Sequence, residues 1–145
     1  MTSNMTPAKR ITDLIHSHMP SSTSSGFYIE DIRLPEVVCV LPFKEKFLRP
    51  GNTISGPTLM MLADVAMYGL VLSLDAEQIM AVTQDLHMHF LARPEAVTLE
   101  AIATLVKRGR RTIVMRVDLY TRHPDGSRKL VAFATGSYAV ISTSP

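Results

Sequence analysis

Between Pro57 and Leu74 the stretch PTLMMLADVAMYGLVLSL carries a single charged residue, Asp64. Holding an ionised carboxylate among apolar side chains is costly unless the group is paired or hydrogen-bonded. Asp64 is therefore a candidate for acid–base chemistry. The competing role is a structural carboxylate tied to a neighbouring hydroxyl or to Arg49. Ser55, Gly56 and Pro57 just before it have the order of a helix start, whose first N–H groups lack intrahelical partners. His87 and His89, with Asp85, recur at every second position and would share a face on a strand. A zinc site takes three or four ligands of defined geometry, and no further strong ligand is close in sequence, so no metal is expected. The run KRGRR, 107–111, gathers Lys107, Arg108, Arg110 and Arg111, which suits phosphate recognition or simply a solvated turn. It is too short for a nucleic-acid surface, no aromatic residues interleave with it, and the net charge is only +2.

These residues need elements to hold them. Ile11, Leu14, Ile15 and His18 recur at helical spacing behind Thr6 and Pro7, which predicts a short amphipathic helix over 6–19. PSSTSSG, 20–26, reads as a linker. FYIEDIRL and EVVCVLPF follow as two strands turning at Pro35, and residues 44–56 as a polar loop containing Arg49, Pro50, Gly51 and Asn52. The apolar run is the long helix, capped by Ser55, with Asp75 and Glu77 beyond its far end. Thereafter the period becomes two: IMAVTQDLHMHFLA, AVTLEAIATLVKRG, RRTIVMRVDLYTRH and KLVAFATGSYAVI are four strands separated by the turns RPE, GR and PDGS. Strict alternation puts Thr83, Asp85, His87 and His89 on one face, opposite Val82, Leu86, Met88 and Phe90. Antiparallel strands with one apolar helix predict an α+β domain in which the sheet curls around the helix. A helix apolar nearly all round has to be covered nearly all round, and one small sheet does that poorly, which points to a partner subunit.

Composition agrees with one globular domain of 145 residues, 46% hydrophobic and 19% charged. Nine methionines and no tryptophan suit an adaptable core. The single cysteine, Cys39, permits no internal disulfide, which fits a reducing, cytoplasmic setting. MTSNMTPAKRITDLIHSHM lacks the apolar core of a signal peptide. The 57–74 run is long enough to span a bilayer. Its Thr58, Asp64, Gly69 and Ser73 favour a core helix instead.

The element order and the segment SGPTLMMLAD resemble the hotdog-fold acyl-CoA thioesterases, specifically the phenylacetate-degradation branch. That branch has His-Gly-Gly, four variable residues, Leu, one variable residue and Asp at this place. AVTQDLHMHF is similar to the strand after its helix, and the resemblance spans roughly residues 27–141. It implies a hotdog fold of about six antiparallel strands around one long central helix, in a domain over 27–145 preceded by an N-terminal helix and linker over 1–26. It also implies hydrolysis of an acyl-CoA at a site shared between two chains of a dimer or dimer of dimers. CoA enters as part of the substrate, with no cofactor, nucleic acid or membrane required. By the same resemblance the Gly56 N–H binds the thioester carbonyl, Asp64 acts as general base or nucleophile, and Thr83 positions water or substrate. Arg49, Asn52, Ser55, Tyr68 and the arginines Arg108, Arg110 and Arg111 are the substrate-binding candidates, the last three for CoA phosphates.

Spacing adds a constraint. Gly56 and Asp64 are eight residues apart, about 12 Å along a straight helix, whereas reacting atoms must meet within about 3–3.5 Å. Two antiparallel helices across a twofold axis would bring Gly56 of one chain beside Asp64 of the other. Two positions depart from the family: its histidine is Ser55 here, and its upstream Asn falls at Arg49, which cannot accept a hydrogen bond. A hotdog hydratase needs an Asp and His pair, and Ser55 removes that histidine. The remaining alternative is an acyl-CoA-binding module without turnover.

Overall fold

A computed structural model describes residues 5–141. Thr6 caps the first helix, accepting from Lys9 N at 3.1 Å, and α1 (Pro7–His18) follows. Ile11 and Ile15 enter the core. Thr12 Oγ1 accepts from Ile29 N at 2.9 Å, tying the helix to the sheet. His16 Nε2 lies 3.1 Å from the Phe27 carbonyl, so that nitrogen carries a proton and donates. The segment expected as a linker is instead a 3-10 turn, Pro20–Ser25. Ser22, Thr23, Ser24 and Ser25 each donate a hydroxyl to the carbonyl three residues back. Such local bonds replace regular structure in a stretch whose composition resembles that of a flexible tether.

The strands are β1 (Tyr28–Arg33), β2 (Glu36–Leu41), β3 (Leu48–Arg49), β4 (Thr53–Ile54), β5 (Val82–Phe90), β6 (Thr98–Arg108), β7 (Thr112–Arg122) and β8 (Arg128–Ala139), with α2 (Gly56–Leu74) between β4 and β5. Six form one antiparallel sheet in the order β1-β2-β6-β7-β8-β5. The expected polar loop over 44–56 holds more order than its composition suggested. A 3-10 turn, Glu45–Phe47, leads into the small β3–β4 hairpin. Gly51 and Asn52 turn that hairpin with φ of 98° and 56°, the left-handed region that Gly and Asn enter most readily.

The sheet wraps α2, as in the hotdog fold that the resemblance implied. Two glycines permit the close approach. A Cβ at Gly69 would stand 2.7 Å from Ile29 Cδ1, and one at Gly136 would stand 2.8 Å from both the Asp85 carbonyl and Met67 Sδ. Because a backbone atom blocks the second position, Gly136→Ala should lower unfolding free energy by about 1–3 kcal/mol, read by urea denaturation.

The single chain covers the helix better than its apolarity suggested. Every residue from Val65 to Leu72 is buried. Apart from Gly56 at its start and Ser73 and Leu74 at its far end, what stays open lies on the N-terminal half: Pro57 and Met60 are exposed, Met61 and Asp64 half-buried, at the spacing of one helical stripe. Cys39 is fully buried in β2, and burial pushes its thiol far above the ordinary range. Thiol reagents should therefore label the native protein negligibly and the urea-unfolded protein at one site, as read by mass.

Candidate functional site

Asp64 stands two turns into α2 on that open stripe. Thr83 Oγ1 donates to its Oδ1 at 2.7 Å and Tyr138 Oη to the same oxygen at 2.6 Å. Among the described residues Oδ2 accepts no such bond, so one carboxylate oxygen is left for a water. Arg49 is not a partner of Asp64; two hydroxyls hold the carboxylate instead.

Thr83 reaches Asp64 because strict alternation fails in β5. In the ladder with β8, Thr83 pairs with Tyr138 and Asp85 with Ser137, so Gln84 is an extra residue. This bulge re-phases the strand. Thr83 faces the helix together with Tyr138, while Gln84 and Asp85 both accept from Ser137 Oγ, at 3.1 and 3.0 Å. The shared face expected for Thr83, Asp85, His87 and His89 is therefore broken after Thr83. His87 and His89 stay on the sheet's other face, their ring centroids 4.8 Å apart. His89 stacks on Phe133 at 4.6 Å, with the Arg116 guanidinium 4.6 Å from the same ring.

Tyr138 is the site residue that motif reading missed. The sequence marks it only as a large residue after three small ones, Ala132, Ala134 and Gly136, on one face of β8, which does not point to Asp64. Burial, reinforced by the negative charge of Asp64, holds its phenol well above the ordinary range. It stays a donor to the carboxylate throughout the usual working range of pH. Tyr138→Phe keeps the ring and its stacking on Tyr68, at 5.8 Å between centroids, and removes only this donor. Turnover should fall about tenfold with KM little changed, the size expected for one hydrogen bond to a charged group.

Tyr68 lies one helical turn past Asp64, its hydroxyl donating to the Ile79 carbonyl at 2.7 Å. Asp64, Tyr68, Thr83 and Tyr138 line a cleft of about 550 Å³ whose remaining wall comes from His18 and Met19 at the end of α1 and from residues 79–82. A second cleft, of about 460 Å³, contains Gly56, Arg49, Arg93, Leu59 and Phe90. There the start of α2 leaves one amide open. Pro57 has no N–H, and Thr58 and Leu59 turn theirs back to the Ser55 carbonyl, at 3.1 and 3.3 Å. The Gly56 N–H is the first-turn amide without a partner among the described residues, at the positive end of the helix.

The other candidates divide. Ser55 Oγ accepts from Thr58 N at 3.3 Å and lies 2.8 Å from Thr58 Oγ1, so it is engaged as the helix cap. Asn52 sits exposed at the hairpin turn, outside the lining of both clefts. Arg108, Arg110 and Arg111 are exposed around the β6–β7 turn, also outside both linings. Arg49 joins Gly56, and Tyr68 joins Asp64.

Within one chain, then, an open amide and a hydroxyl-held carboxylate occupy separate clefts at opposite ends of two helical turns. The sequence profile of the thioesterase superfamily matches residues 51–126, a span that holds Gly56, Asp64 and Thr83. The chain belongs to the thioesterase superfamily. A protein from Silicibacter sp. TM1040, provisionally assigned as a thioesterase, is 30% identical with a TM-score of 0.79, over 92% of this chain and 91% of that one. The superfamily fold recurs in a thioesterase family protein from Silicibacter pomeroyi, 20% identical with a TM-score of 0.81, over 94% of this chain and 99% of the other. A mutant of PaaI, a phenylacetic acid degradation protein from Thermus thermophilus, is 26% identical with a TM-score of 0.71, over 84% of this chain and 99% of the other. No curated protein matches the sequence. Tyr138, Arg49 and all of α1 lie outside the superfamily match.

Proposed function

We propose that the protein hydrolyses acyl-CoA thioesters at sites shared between two copies of the chain. The observation that carries this reading is the separation of the Gly56 amide from the Asp64 carboxylate, each in a cleft of its own. A twofold axis between antiparallel α2 helices would set the amide of one copy against the carboxylate of the other. The open stripe of α2 and the exposed Val82, Phe90 and Leu91 of the β5 edge and its exit offer an apolar surface for that pairing.

In the proposed step Asp64 Oδ2 takes a proton from water, and the hydroxide oxygen bonds to the thioester carbon. The Gly56 N–H stabilises the resulting oxyanion. Collapse breaks the carbon–sulfur bond, and the departing thiolate takes up the proton that Asp64 accepted, giving a free acid and CoA and restoring the carboxylate. Thr83 and Tyr138 orient the carboxylate. Arg49 and Arg93, neither of which forms an ion pair among the described residues, would meet CoA phosphates on the Gly56 side. The step needs water and no cofactor, and CoA arrives with the substrate. The single, buried Cys39 supports a reducing, cytoplasmic setting. The likeness to PaaI supports the phenylacetate-degradation branch.

Ser55, closed into its cap, and Arg49, unable to accept, favour one second reading: a module that binds acyl-CoA without cleaving it. Thiol release from short, medium, long and aryl acyl-CoAs decides between the two. Turnover with any of them supports the hydrolase; tight CoA binding with no thiol released overturns it in favour of the module.

A further inference from the structure

The geometry points to a specific content for the Asp64 cleft: it receives an apolar acyl group, and Met19 and Met80 set how long that group can be. This rests on the hydrolase reading above. The cleft opens directly at Asp64, so whatever fills it is attached to the carbon under attack. Its inner wall presents the faces of Tyr68 and Tyr138 but no open donor. One hydroxyl is committed to the Ile79 carbonyl and the other to Asp64. The remainder is largely aliphatic, from Ile79, Met80, Ala81, Val82 and Met19, and apart from His18 the lining holds no basic side chain. An acyl group ending in a carboxylate would meet the charge of Asp64 with no fixed cation to offset it. Past Asp64 and Thr83, an alkyl or aryl group meets a mostly carbon surface.

The two methionines come from separate elements. Met19 is the residue that ends α1, and its backbone is pinned. Its N–H donates to the Ile15 carbonyl at 2.8 Å, and its own carbonyl accepts from Ser22 N at 2.9 Å and Ser22 Oγ at 2.6 Å. Met80 lies in the lead-in to β5. The two residues are 39% and 69% exposed, so neither is part of the packed core, and both are unbranched and adaptable. At Met19 a pinned backbone carries a soft side chain, and at Met80 the residue is largely exposed, so substitution at either can move the wall without disturbing the packed core.

The test is thiol release from straight-chain acyl-CoAs running from acetyl to palmitoyl, with valeryl-CoA and glutaryl-CoA as a matched apolar and anionic pair. Wild type, Met19→Ala, Met80→Ala and Met80→Trp are compared, with thermal melts to verify folding. The alanine variants should raise kcat/KM for chains beyond the wild-type optimum by about tenfold, and Met80→Trp should lower it by a similar factor. Valeryl-CoA should be preferred over glutaryl-CoA by about tenfold or more, roughly the cost of an unpaired charge in such a pocket. Turnover with the same length profile in all four proteins, or a preference for the glutaryl substrate, overturns this inference and leaves the hydrolase reading standing. No turnover by wild type with any acyl-CoA overturns both.

Discussion

Asp64→Asn should fold like the parent and release CoA at least about 10²–10⁴ times more slowly, the range that a positioned general base supplies. The amide occupies the space of the carboxylate, and its carbonyl oxygen can accept from Thr83 and Tyr138 as Oδ1 does. What it loses is the capacity to take a proton from water. Paired measurements of thiol release and melting temperature separate the two contributions. A residue present only to satisfy Thr83 and Tyr138 would leave turnover unchanged on this substitution. Retention of near-wild-type hydrolysis by a folded Asp64→Asn protein would therefore remove the general base from the mechanism.

The second large effect concerns a main-chain atom, so the informative substitution is proline. Gly56 is the first residue of α2, where proline's fixed φ is tolerated, and Ser55 before it is extended, with φ −71° and ψ 151°, as a residue preceding proline prefers. Gly56→Pro deletes the N–H. Because Pro57 follows, and a residue with a Cβ before proline is disfavoured in the helical region, circular dichroism and a thermal melt verify the helix. In the folded variant kcat should fall about 10²–10³-fold, as when one oxyanion donor is lost. Gly56→Ala keeps the amide and places its Cβ in ordinary contact with Phe90, 3.5 Å away, so its turnover should fall much less. Mixing Gly56→Pro with Asp64→Asn chains tests the shared site. Random pairing makes about half the dimers mixed, each with one intact site, and returns about a quarter of wild-type turnover. If both sites lay within single chains, mixing would restore nothing.

How much of this was legible in the sequence depends on the residue. Period-two alternation over four segments and one long, largely apolar run specify the sheet and its central helix, because burial enforces those patterns along most of their length. Asp64 stood out as a single charge against that background. Thr83 shows where pattern reading stops. Its side-chain direction depends on one extra residue in β5, and a bulge is a property of the pair of strands, invisible in either alone. Tyr138 was hidden for a related reason, since its partner lies 74 positions earlier in the chain and only the closed fold brings them together. The serine-rich turn misled by composition, because hydroxyl-to-carbonyl bonds within a few residues leave no periodic trace. The capping of α2, in contrast, was readable from Ser55 and Pro57 alone, being a local event.

The extra residue in β5 also decides what this strand can lose. Without Gln84, Thr83 would adjoin Asp85 and still stand opposite Tyr138, with Asp85 still opposite Ser137, so Asp64 would keep both hydroxyls. The deletion would take away only one of the two side chains that share the Ser137 hydroxyl on the outer face. The surroundings of the carboxylate thus tolerate a change of chain length at this one position, because the bulge already absorbs it.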